Sequence, residues 1–473
     1  MGRQTIVLIC LLASISACGD DGGTPGYSIG GTVAGLDTGE SVHLQDNGRD
    51  DLTVRTNGAF TFATKIGSGG AYAVTVTAPQ GETCTVTGGS GTVSATVTNV
   101  AVACVSNATF SIVGTAFVGD FFFVANSGAD NISEFSIEAT SGALLSVGPP
   151  VTAERGPSGI TSTIADPYFD SSYLYVSNGR SNDVSAFAVD AASGALTAVP
   201  GSPFAAGTSP GAVGVSASTG CTTRGGHCHT DEYLYVANSG SDTVSEYQID
   251  QSTGFLTPIA SSATGSRPGA MAVGQQPQFL YIANTGGSND ISAFRMDGSL
   301  RPVMGSPFPA NGNVSSLAFG AGDAFVYPPG TSNGTRGYKG LLYAAIASGG
   351  TASIMGFTIH FPMGGATDGA LTALAGFPYD LPSCSYIVAD QTGAYLYAAA
   401  GTNLFGFSIN KQTGALSPLP GFPVAVGTTA DSVSIDPTNQ FLYVTSRSAE
   451  RVTGFRLNAA TGELIMMPDP PSP

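Results

Sequence analysis

The stretch Tyr233–Tyr247, YLYVANSGSDTVSEY, decides the fold because close copies of it recur along the chain. The copies begin at Phe121, Tyr173, Tyr233, Phe279, Leu341, Tyr395 and Phe441, about 50 residues apart. Each copy opens with an aromatic-rich apolar run typical of a buried strand, and most continue with turn-forming Asn, Ser, Gly or Asp. A unit that repeats at such an interval buries its apolar faces by stacking against its neighbours.

Each repeat contains four strand signals. A Pro- or Gly-led run such as PGAMAVGQQ at Pro268 precedes the aromatic strand, and a third strand such as VSEYQID follows it. A fourth strand comes after an S-G-A or T-G turn, as in STGFLTPIA. Four short strands repeated seven times predict an all-β fold, a seven-bladed β-propeller over residues 108–473. In such a ring each sheet pairs locally and few strand edges remain free.

The polar residues of the copies raise the question of a recurring active site. Asn and Asp recur at Asn126, Asn178, Asn238 and Asn284 and at Asp130, Asp183, Asp242 and Asp290. A catalytic group is needed once, whereas a turn is needed in every blade. Asn and Asp suit turns because they tolerate left-handed backbone and bond to nearby backbone groups. We therefore interpret these residues as structural.

Residues 27–107 differ from the repeats and predict a separate small domain. Runs such as DLTVRTNGAFTFATKI alternate apolar and polar residues and stop at Gly, Asn or Asp, as half-buried antiparallel strands do. We expect an immunoglobulin-like β-sandwich stapled by a Cys84–Cys104 disulfide.

The N-terminus predicts export and membrane attachment. Residues 1–18 have an early Arg, an apolar run too short to span a membrane and then small residues, the layout of a secretory signal. Its end, ISAC, resembles the bacterial lipobox, which implies that Cys18 is acylated and that membrane lipid is a partner; the alternative is cleavage after Ala17. Residues 19–26 read as a flexible tether. Gly19, where an Asp usually retains lipoproteins at the inner membrane, favours the outer membrane of the cell envelope.

Composition restricts the partners further. The net charge of −17 disfavours nucleic-acid binding, because such a surface repels phosphate. In an oxidising compartment Cys221 and Cys228 would form a second disulfide, leaving Cys384 unpaired. The alternative for the CTTRGGHCHTDE insertion is Zn²⁺ or Cu²⁺ bound by His227, His229 and the thiolate of Cys228. We favour the disulfide and expect no metal or other cofactor.

The repeats, in which YLYVAN precedes a turn and a Val/Ile-Ser strand, resemble YVTN-type propellers and the lactonase family related to 6-phosphogluconolactonase. Members typically carry P-R-H entering an inner strand and N-E ending the next strand, and the Arg, His and Glu handle the lactone and its water. This protein has P-G-A at Pro210 and Pro268, and the following strands end in Asn-Ser and Asn-Thr. The resemblance therefore implies the fold without the family's catalytic groups.

The residues that break the repeat are the functional candidates. Arg155, Arg267 and Asp431 stand at the entry to an inner strand, which places them near one mouth of the propeller channel. They could contact a small polar ligand, or form a solvated rim. The sequence favours a lipid-anchored envelope protein that binds a ligand or another envelope protein. The alternative is a lactonase-type hydrolase that uses displaced channel residues.

Overall fold

The computed structural model describes most of the protein, and every regular element in that part is a β-strand. The described residues are 26–36, 41–78, 82–106, 112–163, 172–217, 222–224, 227–229, 231–274, 279–296, 299–320, 338–348, 351–361, 369–449 and 451–467. The protein consists of two compact units, Met1–Asn107 and Ala108–Pro473. In these residues no helix is long and apolar enough to span a bilayer.

The described residues of the first unit form ten short strands. They are β1 Gly26–Tyr27, β2 Ile29–Ala34, β3 Val42–Asp46, β4 Asp50–Val54, β5 Gly58–Thr61, β6 Ile66–Gly67, β7 Ala71–Thr77, β8 Glu82–Thr87, β9 Ser90–Thr92 and β10 Val97–Ser106. One four-stranded sheet has the order β5-β2-β10-β8 and a second has the order β4-β3-β7-β9, with β1 paired to β6.

The two large sheets of the first unit share one apolar core. Ile29 and Val102 from the first sheet and Leu44 and Val74 from the second belong to a single buried cluster, so the unit is a two-layer sandwich. Cys84 and Cys104 stand directly opposite each other on β8 and β10 and are disulfide-bonded. The immunoglobulin-like topology of this sandwich stays a prediction.

The second unit is a ring of seven sheets, the blades, in its described residues. Blade 1 comprises β11 Ile112–Val118, β12 Phe121–Asn126, β13 Asn131–Ile137, β14 Leu144–Ser146 and β15 Val151–Thr152. Blade 2 comprises β16 Pro157–Ser162, β17 Ser172–Asn178, β18 Asp183–Val189, β19 Leu196–Ala198 and β20 Phe204–Ala205. Blade 3 comprises β21 Pro210–Ala217, β24 Glu232–Asn238, β25 Thr243–Ile249 and β26 Leu256–Ala263, and its insertion forms the hairpin β22 Thr222–Arg224 and β23 His227–His229.

The remaining blades follow the same plan. Blade 4 comprises β27 Pro268–Val273, β28 Phe279–Asn284, β29 Asp290–Met296, β30 Leu300–Pro302 and β31 Phe308–Pro309. Blade 5 comprises β32 Asn313–Phe319, β33 Tyr338–Ser348, β34 Thr351–Phe361, β35 Leu371–Ala373 and β36 Tyr379–Leu381. Blade 6 comprises β37 Tyr386–Ala389, β38 Tyr395–Ala400, β39 Asn403–Ile409, β40 Leu416–Pro418 and β41 Val424–Ala425. Blade 7 comprises β42 Ser432–Ile435, β43 Phe441–Ser446, β44 Arg451–Leu457 and β45 Leu464–Met466.

The all-β, seven-bladed architecture expected from the repeats is confirmed. Each blade is a four-stranded antiparallel meander whose strands follow one another in sequence, apart from the β22–β23 hairpin inserted between the first two strands of blade 3. In five blades a short extra strand pairs with the third strand. The innermost strand of each blade contacts that of the next, and β42 contacts β11, which closes the ring. Closure also uses the Tyr443 hydroxyl, which donates to the Gly142 carbonyl at 2.8 Å across the junction of blades 7 and 1.

The recurring aromatic strand holds each blade to its successor. The Tyr175 hydroxyl of blade 2 donates to the carbonyl of Gly254, in the turn between the third and fourth strands of blade 3, at 3.0 Å. Gly254 has φ +73°, and a Cβ there would overlap the Tyr173 ring. The S/T-G turn and the aromatic run are thus two halves of one contact between blades, and both repeat for that reason.

The Asn residues of the copies are structural, through a contact that the sequence does not specify. Asn178 is fully buried, and its Nδ2 donates to Asp183 Oδ1 at 2.8 Å and to Ser185 Oγ at 2.9 Å, joining the second strand to the third. The left-handed turn residues are Asp130, Asn182, Asp242 and Asn289. Asp130 and Asp242 therefore occupy the turn, whereas Asp183 and Asp290 begin the third strand, so the recurring Asp residues have two separate roles.

Candidate functional site in the central cavity

The innermost strands of all seven blades surround a cavity of about 640 Å³ on the axis of the ring. A volume of this size suits a small-molecule ligand. The lining is apolar or small on the side of blades 1 to 4, with residues such as Gly159 and Ala270, and rich in hydroxyl groups on the side of blades 5 to 7. The ring is therefore regular in backbone and asymmetric in chemistry.

A β-bulge at the entry of the inner strand places side chains at the cavity in several blades. The pairing of the first and second strands shifts between Pro157 and Gly159, between Pro268 and Ala270, and between Val314 and Ser316. Bulges change the direction of a side chain and are frequent at functional sites. In blade 4 the bulged residue is Gly269, at the position where the P-R-H pattern has Arg, and a Cβ there would come no closer than 3.1 Å to Thr285.

Several cavity hydroxyl groups are already used to join neighbouring blades. Ser158 Oγ donates to the Pro210 carbonyl at 2.6 Å, and Ser385 Oγ donates to the Ala430 carbonyl at 2.8 Å. Ser315 Oγ makes a longer bond of the same kind to Cys384 at 3.5 Å. These serines fix the inner strands, so their presence at the cavity does not by itself indicate a nucleophile.

The charged groups of the described lining are Asp431 and Arg447, both on blade 7. Asp431 Oδ2 accepts a hydrogen bond of 2.6 Å from the Arg447 backbone N–H, and the Asp431 N–H donates to the Thr445 carbonyl at 2.9 Å. The carboxylate is partly exposed and the Arg447 side chain is exposed. The backbone of Arg447 therefore fixes one Asp431 carboxylate oxygen at the edge of the cavity. The sequence analysis selected Asp431 but missed Arg447, which follows a second strand and not an inner-strand entry.

Arg155 and Arg267, the other sequence candidates, are absent from the described lining of the cavity. The Arg155 carbonyl accepts from Arg180 N at 3.2 Å, and Arg267 N donates to Asp242 Oδ1 at 2.7 Å. Arg267 has φ +51° and an exposed side chain. Both backbones thus complete the turns between blades, and a ligand contact by either side chain stays a prediction.

Tyr386 is the one tyrosine of the described cavity lining. It belongs to the inner strand of blade 6, lines the cavity and is 39% exposed. Burial raises the pKa of its phenol, which is consistent with a ring surrounded by protein but open to the cavity. The phenol is therefore neutral at physiological pH and can both donate and accept a hydrogen bond.

The remaining sequence candidates lie elsewhere. His43 bonds Thr53 in the first unit, and His360 bonds Thr372 on the outer part of blade 5. Cys384 is a buried free thiol whose pKa burial raises to about 12, so it is unsuited to nucleophilic chemistry. The side chains of His227, Cys228 and His229, with Cys221 and Cys18, lie outside the described residues. The part of the chain that the structure describes contains no group of three or more His, Cys, Asp or Glu able to bind a metal ion.

Part of the chain matches the model of a known protein family. Residues 83–213 and 226–309 match the family described as Lactonase, 7-bladed beta-propeller. The ring is similar to lactonase-type propellers. No curated protein of matching sequence was found.

Solved structures of this lactonase-type fold come from several bacteria. A candidate 6-phosphogluconolactonase from Bacteroides uniformis superposes with a TM-score of 0.53 at 17% identity, over 75% of this chain and 94% of that one. A second candidate from Bacteroides fragilis gives 0.50 at 18% identity, over 76% and 95%. The periplasmic gluconolactonase of Pseudomonas aeruginosa gives 0.50 at 17% identity, over 76% and 96%. At these identities the likeness is one of fold.

Proposed function

We propose that the lactonase-type propeller binds a small, uncharged, polyhydroxylated lactone in its central cavity and hydrolyses it. The observation that carries the proposal is that Asp431 and Arg447, joined by a hydrogen bond from the Arg447 backbone N–H to the Asp431 carboxylate, both line a cavity rich in hydroxyl groups. A single acid and a single base leave the described lining without net charge, which favours a neutral ligand over a phosphorylated one. The names of the Bacteroides and Pseudomonas structures point to lactones as the class of substrate.

Asp431 and Arg447 could supply the two functions that ester hydrolysis needs. The Asp431 carboxylate would accept a proton from a water molecule whose oxygen attacks the lactone carbonyl carbon. The Arg447 guanidinium would stabilise the negative charge that develops on the carbonyl oxygen. The bond from the acyl carbon to the ring oxygen then breaks, and the leaving oxygen takes the proton from Asp431. The hydroxy acid leaves with Asp431 ionised again.

The test is acid release from a panel of aldono-1,5-lactones and 1,4-lactones, followed at constant pH above the spontaneous rate. We expect Asp431→Asn to lower kcat/KM about 100-fold or more and Arg447→Ala to lower it by a similar factor. Arg301→Ala is the matched control, because it removes an exposed Arg on the outermost strand of blade 4, outside the described cavity lining. Activity that survives Asp431→Asn would refute the proposed mechanism.

A second candidate, binding without hydrolysis, is favoured by one specific observation. Among the described lining residues there is no His and no Glu, the groups that the lactonase resemblance implies for the reaction. Saturable binding of a lactone or sugar without acid release above the spontaneous rate would establish this function. Binding that is weakened by Asp431→Asn would then still place the ligand in the cavity.

We also propose that the protein is anchored to the cell envelope through acylated Cys18, on the outer membrane. The support is the sequence ISAC at the end of a signal-like segment, with Gly19 after it. Cys18→Ser should move the protein from the membrane fraction to the soluble fraction, as measured by fractionation and immunoblotting. Retention of the Ser variant in the membrane fraction would contradict the anchor.

A further inference from the structure

One layer of the cavity contains a large aromatic ring among small residues. The residues that pair with the fifth position of each aromatic copy, counted from the copy's first residue, define this layer. In six blades the pairing gives Gly114, Gly159, Ala270, Ser316, Tyr386 and Ser432. The layer contains Ala270, which stands where the lactonase pattern has its His. Tyr386 occupies the equivalent position on the inner strand of blade 6, two blades further around the ring.

The backbone that carries Tyr386 is fixed from the neighbouring blade. Ser316 is 2% exposed, and its Oγ accepts from the Ile387 N–H at 3.3 Å and lies 3.3 Å from the Ile387 carbonyl. Ser385, on the other side of Tyr386, bonds the Ala430 carbonyl of the connection to blade 7. Both flanking positions are therefore held by hydrogen bonds, while the ring between them is 39% exposed.

The members of the layer in blades 1, 2 and 4 are small. Gly114, Gly159 and Ala270 carry no side chain beyond Cβ, and they line the same cavity of about 640 Å³ as the Tyr386 ring. An aromatic residue whose sequence neighbours are fixed and whose surface borders free volume is preorganised to contact a ligand. Packing does not explain a half-exposed Tyr here, because the tyrosines at the third position of the aromatic copies, such as Tyr397, are fully buried.

We infer that Tyr386 is a binding residue on which the less polar face of a six-membered sugar or sugar-lactone ring packs. The inference rests on the proposed function for its choice of ligand class. Such a ring presents C–H groups on its faces and hydroxyl groups at its edge. The Tyr386 ring offers an electron-rich aromatic surface to the C–H groups, and the Asp431 carboxylate offers an acceptor to the hydroxyl groups. An acyclic polyol has no flat face and gains less from the same contact.

The experiment measures binding of ligands that cannot be hydrolysed, so that its result is independent of catalysis. Isothermal titration calorimetry compares 1,5-anhydroglucitol and the methyl glycosides of glucose, galactose and mannose with the acyclic polyol glucitol. We expect at least one cyclic ligand to bind about tenfold more tightly than glucitol. Tyr386→Ala should abolish that preference, and Tyr386→Phe should retain it, because the ring and not the hydroxyl makes the contact.

Leu145→Ala is the matched control, since Leu145 is a large exposed side chain on the outermost strand of blade 1. It should leave the affinities unchanged. Three results would overturn the inference: equal affinity of the wild-type protein for cyclic and acyclic ligands, retention of the preference in Tyr386→Ala, or its loss in Tyr386→Phe. Loss of lactone hydrolysis in Asp431→Asn bears on the proposed function alone, and loss of ring preference in Tyr386→Ala bears on this inference alone.

Discussion

Among the contacts that join the blades of the ring, two kinds made by the second and third strands differ in charge. At five of the seven junctions in the described residues, a Tyr hydroxyl of the second strand donates to a Gly carbonyl in the next blade; the tyrosines are Tyr175, Tyr281, Tyr343, Tyr397 and Tyr443. At the junctions of blades 1 and 2 and of blades 3 and 4, a buried carboxyl group accepts a hydrogen bond from the next blade instead. Leu300 N donates to Glu246 Oε2 at 3.3 Å, and the Leu196 N–H bonds the carboxyl group of Glu134.

The difference shows how a repeat fold accepts substitutions at a fixed location. Glu134 and Glu246 stand directly opposite Phe123 and Tyr235 on the neighbouring strand, so both kinds of contact use the same two strands. The hydroxyl contact is neutral at every physiological pH. The carboxyl contact places an ionisable group in a site where 4% or less of the residue is exposed, and burial raises the pKa of both glutamates. Two junctions should therefore respond to pH while five should not.

The strongest test of the Tyr–Gly contact is Gly254→Ala. Ala at this position meets two penalties, the positive φ and the overlap of its Cβ with the Tyr173 ring. We expect a loss of about 3 kcal/mol in unfolding free energy, measured by denaturant titration followed by circular dichroism. Gly427→Ala is the control, because Gly427 has φ +82° and nothing within 4 Å of an added Cβ. It should cost about 1 kcal/mol, the strain alone; equal losses in both variants would contradict the packing role.

Removing one hydroxyl group tests the same kind of contact with a smaller expected loss of unfolding free energy. Tyr281→Phe deletes the 2.8 Å bond to the Gly369 carbonyl and leaves that buried acceptor without this donor. We expect a loss of about 1–2 kcal/mol in unfolding free energy, with the ring architecture intact by circular dichroism. An unchanged midpoint in denaturant would mean that the hydroxyl bond adds nothing to the apolar contact between blades 4 and 5.

The sequence predicts the ring well and the contacts between blades poorly. Period and strand pattern specify seven copies, because each blade must bury the same faces. The partner of Tyr281 is 88 residues away, and nothing local in either segment states that a Tyr of one repeat meets a Gly of the next. The same limit explains the Asn residues, whose type suggests a turn while their side chains join two strands.

The sequence predicts only some of the residues that line the cavity, because the repeat pattern does not show which strands lie together there. Entry positions of the inner strands can be read from the repeat, and this led to Asp431. Arg447 follows a different strand and reaches the cavity only through the geometry of blade 7. Tyr386 reads as an ordinary strand aromatic until pairing places it opposite Ala399, in the layer of small residues. The candidate functional residues of this ring are those that differ from the repeat, and only the strand pairing shows that they line the same cavity.

The smallest expected effect separates the charged junctions from the neutral ones. Because the folded-state pKa of Glu246 lies above its unfolded value, the folded protein binds the extra proton, and stability falls as pH rises from the unfolded pKa near 4.3 through the folded pKa. Glu246→Gln keeps an acceptor for the Leu300 N–H without a titratable charge, so it should unfold at higher denaturant than wild type at pH 8. The two proteins should converge at pH 4.

Glu138→Gln provides a control of opposite sign. Glu138 is exposed in the turn after β13, where hydrogen bonds from Ser141 and Thr140 lower its pKa to about 2. Its contribution to stability is present above the unfolded pKa and is lost as pH falls toward 2. Glu138→Gln should therefore be less stable than wild type at neutral pH, with a difference that shrinks in acid. If Glu246→Gln behaves in the same way as Glu138→Gln, the carboxylate of Glu246 stabilises its junction in the ionised form, and the distinction between the two kinds of contact fails.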